Sequence, residues 1–269
     1  MNGSLIAPTT NTRHSYEYGL DQLMASSDIN LERHKRHILL KEIGGPGLQK
    51  LQASRVSVIG AGALGGICSL YLAAAGIGEI EVWDDDTVDL SNLQRQIQFQ
   101  ESDIGLLKAD CLKQRLLALD ASLSVSAVIE RLDASSQPAG DILIDATDNF
   151  ETRFILNDIA HNSGRYLVSG AAARWSGQIA VFGSGVLPQV PCYRCFVPES
   201  PPAAEACDGV GIVGALTGQI GSLMALETIK IITGAGDISV GKVQIIDGLS
   251  GSSRTVKLSP DRECRHCQG

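Results

Sequence analysis

Two cysteine pairs, a glycine-rich turn and a loop crowded with acidic, amide and basic side chains are the parts of this chain whose residue types and spacing can do chemistry. Cys192-Tyr-Arg-Cys195 and Cys264-Arg-His-Cys267 are CxxC pairs. Each can wrap one side of a tetrahedral ion, and together they offer four soft thiolates, the donor set of structural Zn²⁺. A closed four-thiolate site has no open position, so its expected task is to pin the C-terminus to the second half of the chain. Redox-active pairs or unliganded thiols are the alternatives. His266 is expected to stand by, because four thiolates already fill the coordination sphere.

The glycine turn points to a different ligand. Val56-Ser-Val-Ile59 reads as a short strand that runs straight into Gly60-Ala61-Gly62-Ala63-Leu64-Gly65, the spacing of a phosphate turn that opens a helix. Glycines let the backbone turn tightly and approach an anion at the helix N-terminus. A second strand, Glu79 to Trp83, ends at Asp84, where a carboxylate can accept hydrogen bonds from a ribose. Next comes a polar loop with Asp86, Asp89, Ser91, Asn92, Gln94 and Arg95, which suits phosphates and metal better than a nicotinamide. Further on, Asp141-Ile-Leu-Ile-Asp145 reads as a buried strand followed by Asp148 and Asn149. Asp148 can hold Mg²⁺ on nucleotide phosphates or cap the helix that follows, and the two readings are compatible.

The elements that must position these groups follow from periodicity. Leu31 to Gly45 reads as one helix ended by Gly44-Gly45-Pro46, and Leu64 to Ala75 as an apolar helix lying between the sheet and other structure. A helix from Lys108 to about Leu119, a strand at Leu123 to Val128 and a helix at Glu151 to Ala160 complete a strand-helix alternation. Strands are expected at Tyr166 to Gly170, Gly177 to Gly183 and Lys242 to Ile246, with a long helix from Gly211 to Ile232. The expected class is α/β: a Rossmann-like, mostly parallel sheet with helices on both faces, plus a zinc-stapled C-terminal part. Residues 1–30 read as a flexible tail. Residues 31–269 read as one domain, with a nucleotide-binding half over about 31–170 and a zinc-stapled half over about 171–269. Gly236 to Val243 superficially resembles a P-loop, but it runs from helix to strand and has Val243 where a hydroxyl is needed.

Composition narrows the field. A net charge of −8 argues against a nucleic-acid backbone as main partner. No apolar run is long enough for a membrane span, and the first residues lack the order of a signal peptide, so a cytoplasmic protein with reduced thiols is expected. Cys68 and Cys111 read as core or helix-face residues without chemistry, and Arg36 by spacing alone as a solvated surface arginine.

GAGALGG, DDDTVDLSNLQRQ, GLLKAD, DATDN, CYRC and the terminal CRHC, in this order over residues 31–269, resemble the ubiquitin-activating-type adenylyltransferases of sulphur-carrier pathways. The nearest members of that family are the molybdopterin-synthase and thiazole-pathway adenylyltransferases. The resemblance implies ATP as substrate, with Gly60, Gly62 and Ala63 against the nucleotide and Asp84 on its ribose. It places Asp86, Ser91, Asn92, Leu93, Gln94, Arg95 and Asn149 in the ATP site, Lys108 on the phosphates and Asp148 on Mg²⁺. Many members have glycine at the Ala63 position, a small departure. Arg36 matches an arginine that members insert across a homodimer interface into the partner's phosphate site. Cys207 falls where members carry a cysteine that can join covalently to the carrier or to a sulphur intermediate; an unreactive loop thiol is the alternative.

The implied reaction is adenylylation of the C-terminal glycine carboxylate of a ubiquitin-fold carrier ending in Gly-Gly, with release of pyrophosphate. The molybdopterin carrier is favoured over the thiazole carrier of thiamine synthesis, and the sulphur donor is expected to be a separate protein. Competing readings are a nicotinamide-dependent oxidoreductase and a catalytically silent nucleotide-binding scaffold.

Overall fold

The computed structural model describes residues 30–199 and 211–267, so the expected tail, apart from Asn30, and Cys207 lie outside the described residues. Eight strands form one sheet: β1 (Arg55–Ile59), β2 (Glu79–Trp83), β3 (Ser124–Val128), β4 (Ile142–Asp145), β5 (Tyr166–Ala173), β6 (Ser176–Phe182), β7 (Lys242–Asp247) and β8 (Ser252–Lys257). They stand in the order β3-β2-β1-β4-β5-β6-β7-β8. The first five are parallel, with Val56 paired to Ile80 on one side and to Ile142 on the other. From β5 onward the pairing is antiparallel, and the β5–β6 hairpin closes where Ala173 faces Ser176. β7 again runs with the first five, so the sheet is mostly parallel in direction.

Seven helices occur among the described residues: α1 (Leu31–Ile38), α2 (Gly44–Ala53), α3 (Ala63–Ala75), α4 (Lys108–Leu119), α5 (Phe150–Asn162), α6 (Tyr193–Phe196) and α7 (Gly214–Thr233). The single helix expected from Leu31 to Gly45 is two helices. Pro46 sits in the first turn of α2, where its missing N–H has no intrahelical partner to lose, so Gly-Gly-Pro starts a helix here, while α1 already stops at Ile38. The long helix begins at Gly214, because Ile212 is held in a bridge to Arg174 beyond the end of β5.

Period-2 alternation sorts the core into two layers. Val56, Val58, Ile142 and Ile144 face a cluster completed by Leu51, Leu72, Leu112, Leu116, Ile220 and Met224 from α2, α3, α4 and α7. Ile59, Leu143 and Leu167 face the other way, onto Leu156 of α5 and Tyr193 of α6. The apolar helix α3 packs between the sheet and α7, as its all-round hydrophobicity requires. Strand β8 has no apolar period to read, since all six of its residues are exposed. Among the described residues, no helix is long and apolar enough to cross a membrane.

Candidate functional site

Ligands of doubly wound sheets bind beyond the carboxyl ends of the strands. There, past β1, β2, β3 and β4, lies an open cleft of about 800 Å³. Its floor is the turn between β1 and α3. Gly60 has φ 98°, and a Cβ on it would come within 2.7 Å of the Ala146 carbonyl oxygen. A Cβ on Gly65 would run into the Gly60 carbonyl, so the first and last glycines of the turn are required by close packing. Gly62 meets no such obstacle and faces the cleft as the N-cap of α3, bringing no side chain to the amides of the first turn.

Asp84 ties this turn to the neighbouring loop. One carboxylate oxygen accepts the Ala61 N–H at 2.7 Å and the other accepts the Asp86 N–H at 2.9 Å. Burial raises its pKa, and those hydrogen bonds and nearby Lys108 oppose the rise without cancelling it. Lys108, the first residue of α4, is 7% exposed and places its ammonium 2.8 Å from an Asp86 oxygen at the cleft wall. Arg95 lines the cleft beside Ser91 and Gln94, and its guanidinium donates to the Ser91 carbonyl at 3.0 Å.

Two residues of the loop do other work. The Asn92 side chain accepts the Asp89 N–H at 3.3 Å while Asp89 accepts the Ser91 N–H at 2.8 Å, a reciprocal cap that closes the turn Leu90–Asn92. Leu93 packs against the core. Neither lines the cleft, whereas Gly60, Gly62, Ala63, Asp84, Asp86, Ser91, Gln94, Arg95, Lys108, Asp148 and Asn149 all do.

The capping alternative for Asp148 is corrected by the register of α5. Asn149 is the N-cap, accepting the Thr152 N–H at 2.9 Å, so Asp148 lies one residue too early to cap. Asp148 is exposed at the cleft mouth. Arg36 is exposed on α1 and does not line this chain's own cleft.

Sequence reasoning missed several residues here. Trp83, Glu130 and Arg131 line the cleft at the ends of β2 and β3. Arg153, 6% exposed, bonds Asp145 and Ser169 at 3.2 Å and also the Thr147 and Gly170 carbonyls, so it ties down the loop that carries Asp148. An arginine one turn into a helix that follows a buried aspartate was the available signal. Gln98, 5% exposed, donates to the carbonyls of Ala61 and Gly62 at 2.9 and 3.0 Å. It sits three residues past Arg95, the end of the polar loop, in a stretch without periodicity.

The four cysteines converge although the pairs are far apart in sequence. Their sulphurs all lie within 4.8 Å of one another, with adjacent separations of 3.9, 3.7 and 3.5 Å. A tetrahedral ion with a zinc–sulphur distance of about 2.3 Å needs sulphurs about 3.8 Å apart, so this cluster fits Zn²⁺. Burial pushes the Cys192 thiol far up and Cys267 up to about 11, so four thiolates side by side need a cation to hold them ionised. Helix α5 carries the pairs: Asn157 accepts the Tyr193 N–H at 2.7 Å, and Asp158 takes a bidentate bond from Arg194 at 2.8 and 2.7 Å. His266 stands 3.4 Å from Asp158, outside the sulphur cluster.

Residues 34–266 match the profile of the ThiF family. The chain is 42% identical over 246 residues to "Adenylyltransferase and sulfurtransferase MOCS3" of Culex quinquefasciatus, covering 88% of this chain and 55% of that protein. It thus spans about half the length of that relative. Identity to "SAMP-activating enzyme E1" of Haloferax volcanii is 37% over 243 residues, 88% of each chain. "Sulfur carrier protein adenylyltransferase" of Thermus thermophilus is 37% identical over 246 residues, 88% of this chain and 90% of that one. Among solved structures, E. coli MccB with MccA-N7isoASN has the same fold, with a TM-score of 0.78 at 20% identity over 98% of this chain and 83% of that one.

Proposed function

The chain belongs to the ThiF family, and on that premise we propose that it adenylylates the C-terminal glycine carboxylate of a ubiquitin-fold sulphur-carrier protein. The observation that carries the reading is one cleft uniting a glycine phosphate turn, Arg95, Lys108 and an exposed carboxylate at Asp148, with no histidine among its described lining residues. Such a set suits a reaction that needs charge neutralised and no proton moved. A terminal carboxylate has a pKa of about 3.5 and arrives ionised. Its oxygen attacks the α-phosphorus of ATP, the bond from that phosphorus to the bridging oxygen breaks, and pyrophosphate leaves with the electron pair.

The obstacle is the approach of one anion to another, and catalysis is then positioning plus electrostatic stabilisation. Lys108 and Arg95 supply positive charge, and the Gly62 and Ala63 amides offer donors at the start of α3. Asp84 is suited to the ribose, with lone pairs left over after its two backbone bonds. Asp148 would hold Mg²⁺ on the phosphates, where the ion would add positive charge, with Asn149 beside it in the ATP site. Arg36 cannot serve its own cleft from α1, which supports its insertion into the site of a second protomer in a homodimer. Cys207 remains the candidate for a covalent step with the carrier or its sulphur, and a separate protein the candidate sulphur donor.

Relatives named adenylyltransferase, one of them for a sulphur carrier protein, support a carrier as substrate. Of the two branches, the sequence resemblance favours molybdopterin over thiazole. Chemistry of this kind, on ATP and with reduced thiols, belongs in the cytoplasm. The test is carrier-stimulated exchange of labelled pyrophosphate into ATP, using molybdopterin and thiazole carriers with intact or truncated Gly-Gly ends. Exchange with one intact carrier alone supports the reading and chooses the pathway. Silence with both, while ATP binds, would overturn it.

A further inference from the structure

Resting on the nucleotide reading above, the geometry points to Gln98 as the residue that aims the phosphate turn. A peptide unit is planar and trans, so the C=O of one residue and the N–H of the next point in opposite directions. A turn that grips an anion with its N–H groups must therefore turn its carbonyls away from the ligand, into the protein, where they need donors. The Gln98 amide nitrogen donates to the carbonyls of Ala61 and Gly62, at 2.9 and 3.0 Å. Those two peptide units are the ones whose N–H groups belong to Gly62 and Ala63, both of which line the cleft. Fixing the carbonyls from behind fixes the direction of the donors in front.

The orientation of the Gln98 amide follows from chemistry. Turning its oxygen toward the turn would face one acceptor with two others, whereas the NH₂ has two donors for two carbonyls. The side chain packs directly against α3, where a Cβ on Gly66 would collide with its amide group. Gln98 is itself anchored. Its own carbonyl accepts from Arg115 at 3.1 Å, and Arg115 is held by Asp103 at 2.8 Å. Arg115 lies on α4, the helix that begins with Lys108. The Gly62 carbonyl is shared with the Gly66 N–H of α3 at 2.9 Å. Gln98 therefore acts with α3 to set the phosphate turn in register with the helix that delivers the lysine, without lining the cleft itself. It is a positioning residue.

A positioning role for phosphates has a signature that general packing lacks: it should matter for ATP and not for adenosine. The experiment measures binding of ATP with Mg²⁺ and of adenosine to the full chain and to Gln98→Met, which keeps the length and loses both donors. Gln98→Glu, of the same size and without donors when ionised, is a second variant should the first not fold. Losing one to two neutral hydrogen bonds should weaken ATP about tenfold, raise KM for ATP in parallel, and leave adenosine within about twofold. Equal weakening of ATP and adenosine, or unchanged ATP binding, would overturn the assignment. If the wild-type chain binds ATP but catalyses no carrier-dependent exchange, the adenylylation reading falls, and the ratio of ATP to adenosine effects still decides on Gln98.

Discussion

The parallel interior of the sheet and its antiparallel edge solve the same problem by different means. On the parallel side, β1 and β4 are covered on both faces, and every residue of β4 is buried. On the antiparallel side, β8 is exposed along its whole length, and the segment following it is held by two cysteines that join two others across the fold. Parallel strands buried by crossover helices generate their own core. A meander at a sheet edge has one face at most to bury, and a metal held by the four thiolates would substitute for missing apolar area. The cleft with its charged groups lies where the sheet is firmest, which is where groups must stay within a few tenths of an ångström.

Removing the metal centre should separate the two regions most clearly. Cys264→Ser is expected to cost a large share of the binding energy of a structural zinc site, which is on the order of 10 kcal/mol. Hydrogen exchange should rise in β7, β8 and the α6 turn well before β1 and β4. Equal loss of protection in both regions would show that the sheet unfolds as one unit and that the contrast is only of composition.

Breaking the buried ion pair of the parallel side comes next. Arg153→Leu leaves Asp145, which has no solvent exposure, without its guanidinium, and should destabilise the fold by about 3 to 5 kcal/mol. Chemical denaturation would measure it; a change under about 1 kcal/mol would mean the pair is dispensable. Asp148→Asn, three residues along from Asp145, should behave in the opposite way. Carrier-dependent exchange is expected to fall about 10³-fold with the melting temperature unchanged, because an exposed carboxylate at the cleft mouth can serve charge and not packing. A lowered melting temperature with activity retained would make it structural.

The smallest effect concerns α1, at the margin of the firm region. Burial, with His37 adding to it, holds the His34 imidazole below its ordinary pKa. A base depressed in the fold contributes stability above its unfolded value of about 6.5 and loses it as pH falls through the folded value. Amide protection in α1 should therefore weaken between pH 7 and 5.5, with a slope no steeper than about 1.4 kcal/mol per pH unit. His34→Phe should flatten that dependence, and an unchanged slope would show that His34 does not carry it.

Much of this was readable before any coordinates. The strands at Arg55 to Ile59 and Glu79 to Trp83 stand where their β-branched and apolar residues imply, with the buried Ser57 and Glu81 that interrupt those runs bonded to each other. The four-cysteine cluster was legible from the spacing of its two pairs, since the CxxC geometry is local. The break between α1 and α2 was not, because Gly-Gly-Pro reads equally as a stop and a start. Strand β8 stayed invisible because a fully exposed edge strand imposes no period on its residues.

What the sequence by itself determined is chemistry carried in short stretches: the glycine turn, the carboxylate at the end of β2, the paired thiols, the strand-to-loop position of Asp148. These depend on neighbours within a few residues, whose geometry the backbone dictates. Tertiary structure alone decided which polar residues share a cleft and which serve as braces. Asn92 closes its own turn while Arg95, three positions on, faces the ligand space. Gln98 and Arg153 reach across the fold to carbonyls that only packing brings near them. The physical reason is that a buried backbone carbonyl must find a donor wherever one lies, and which residue supplies it is settled by distance in space, to which order along the chain is blind.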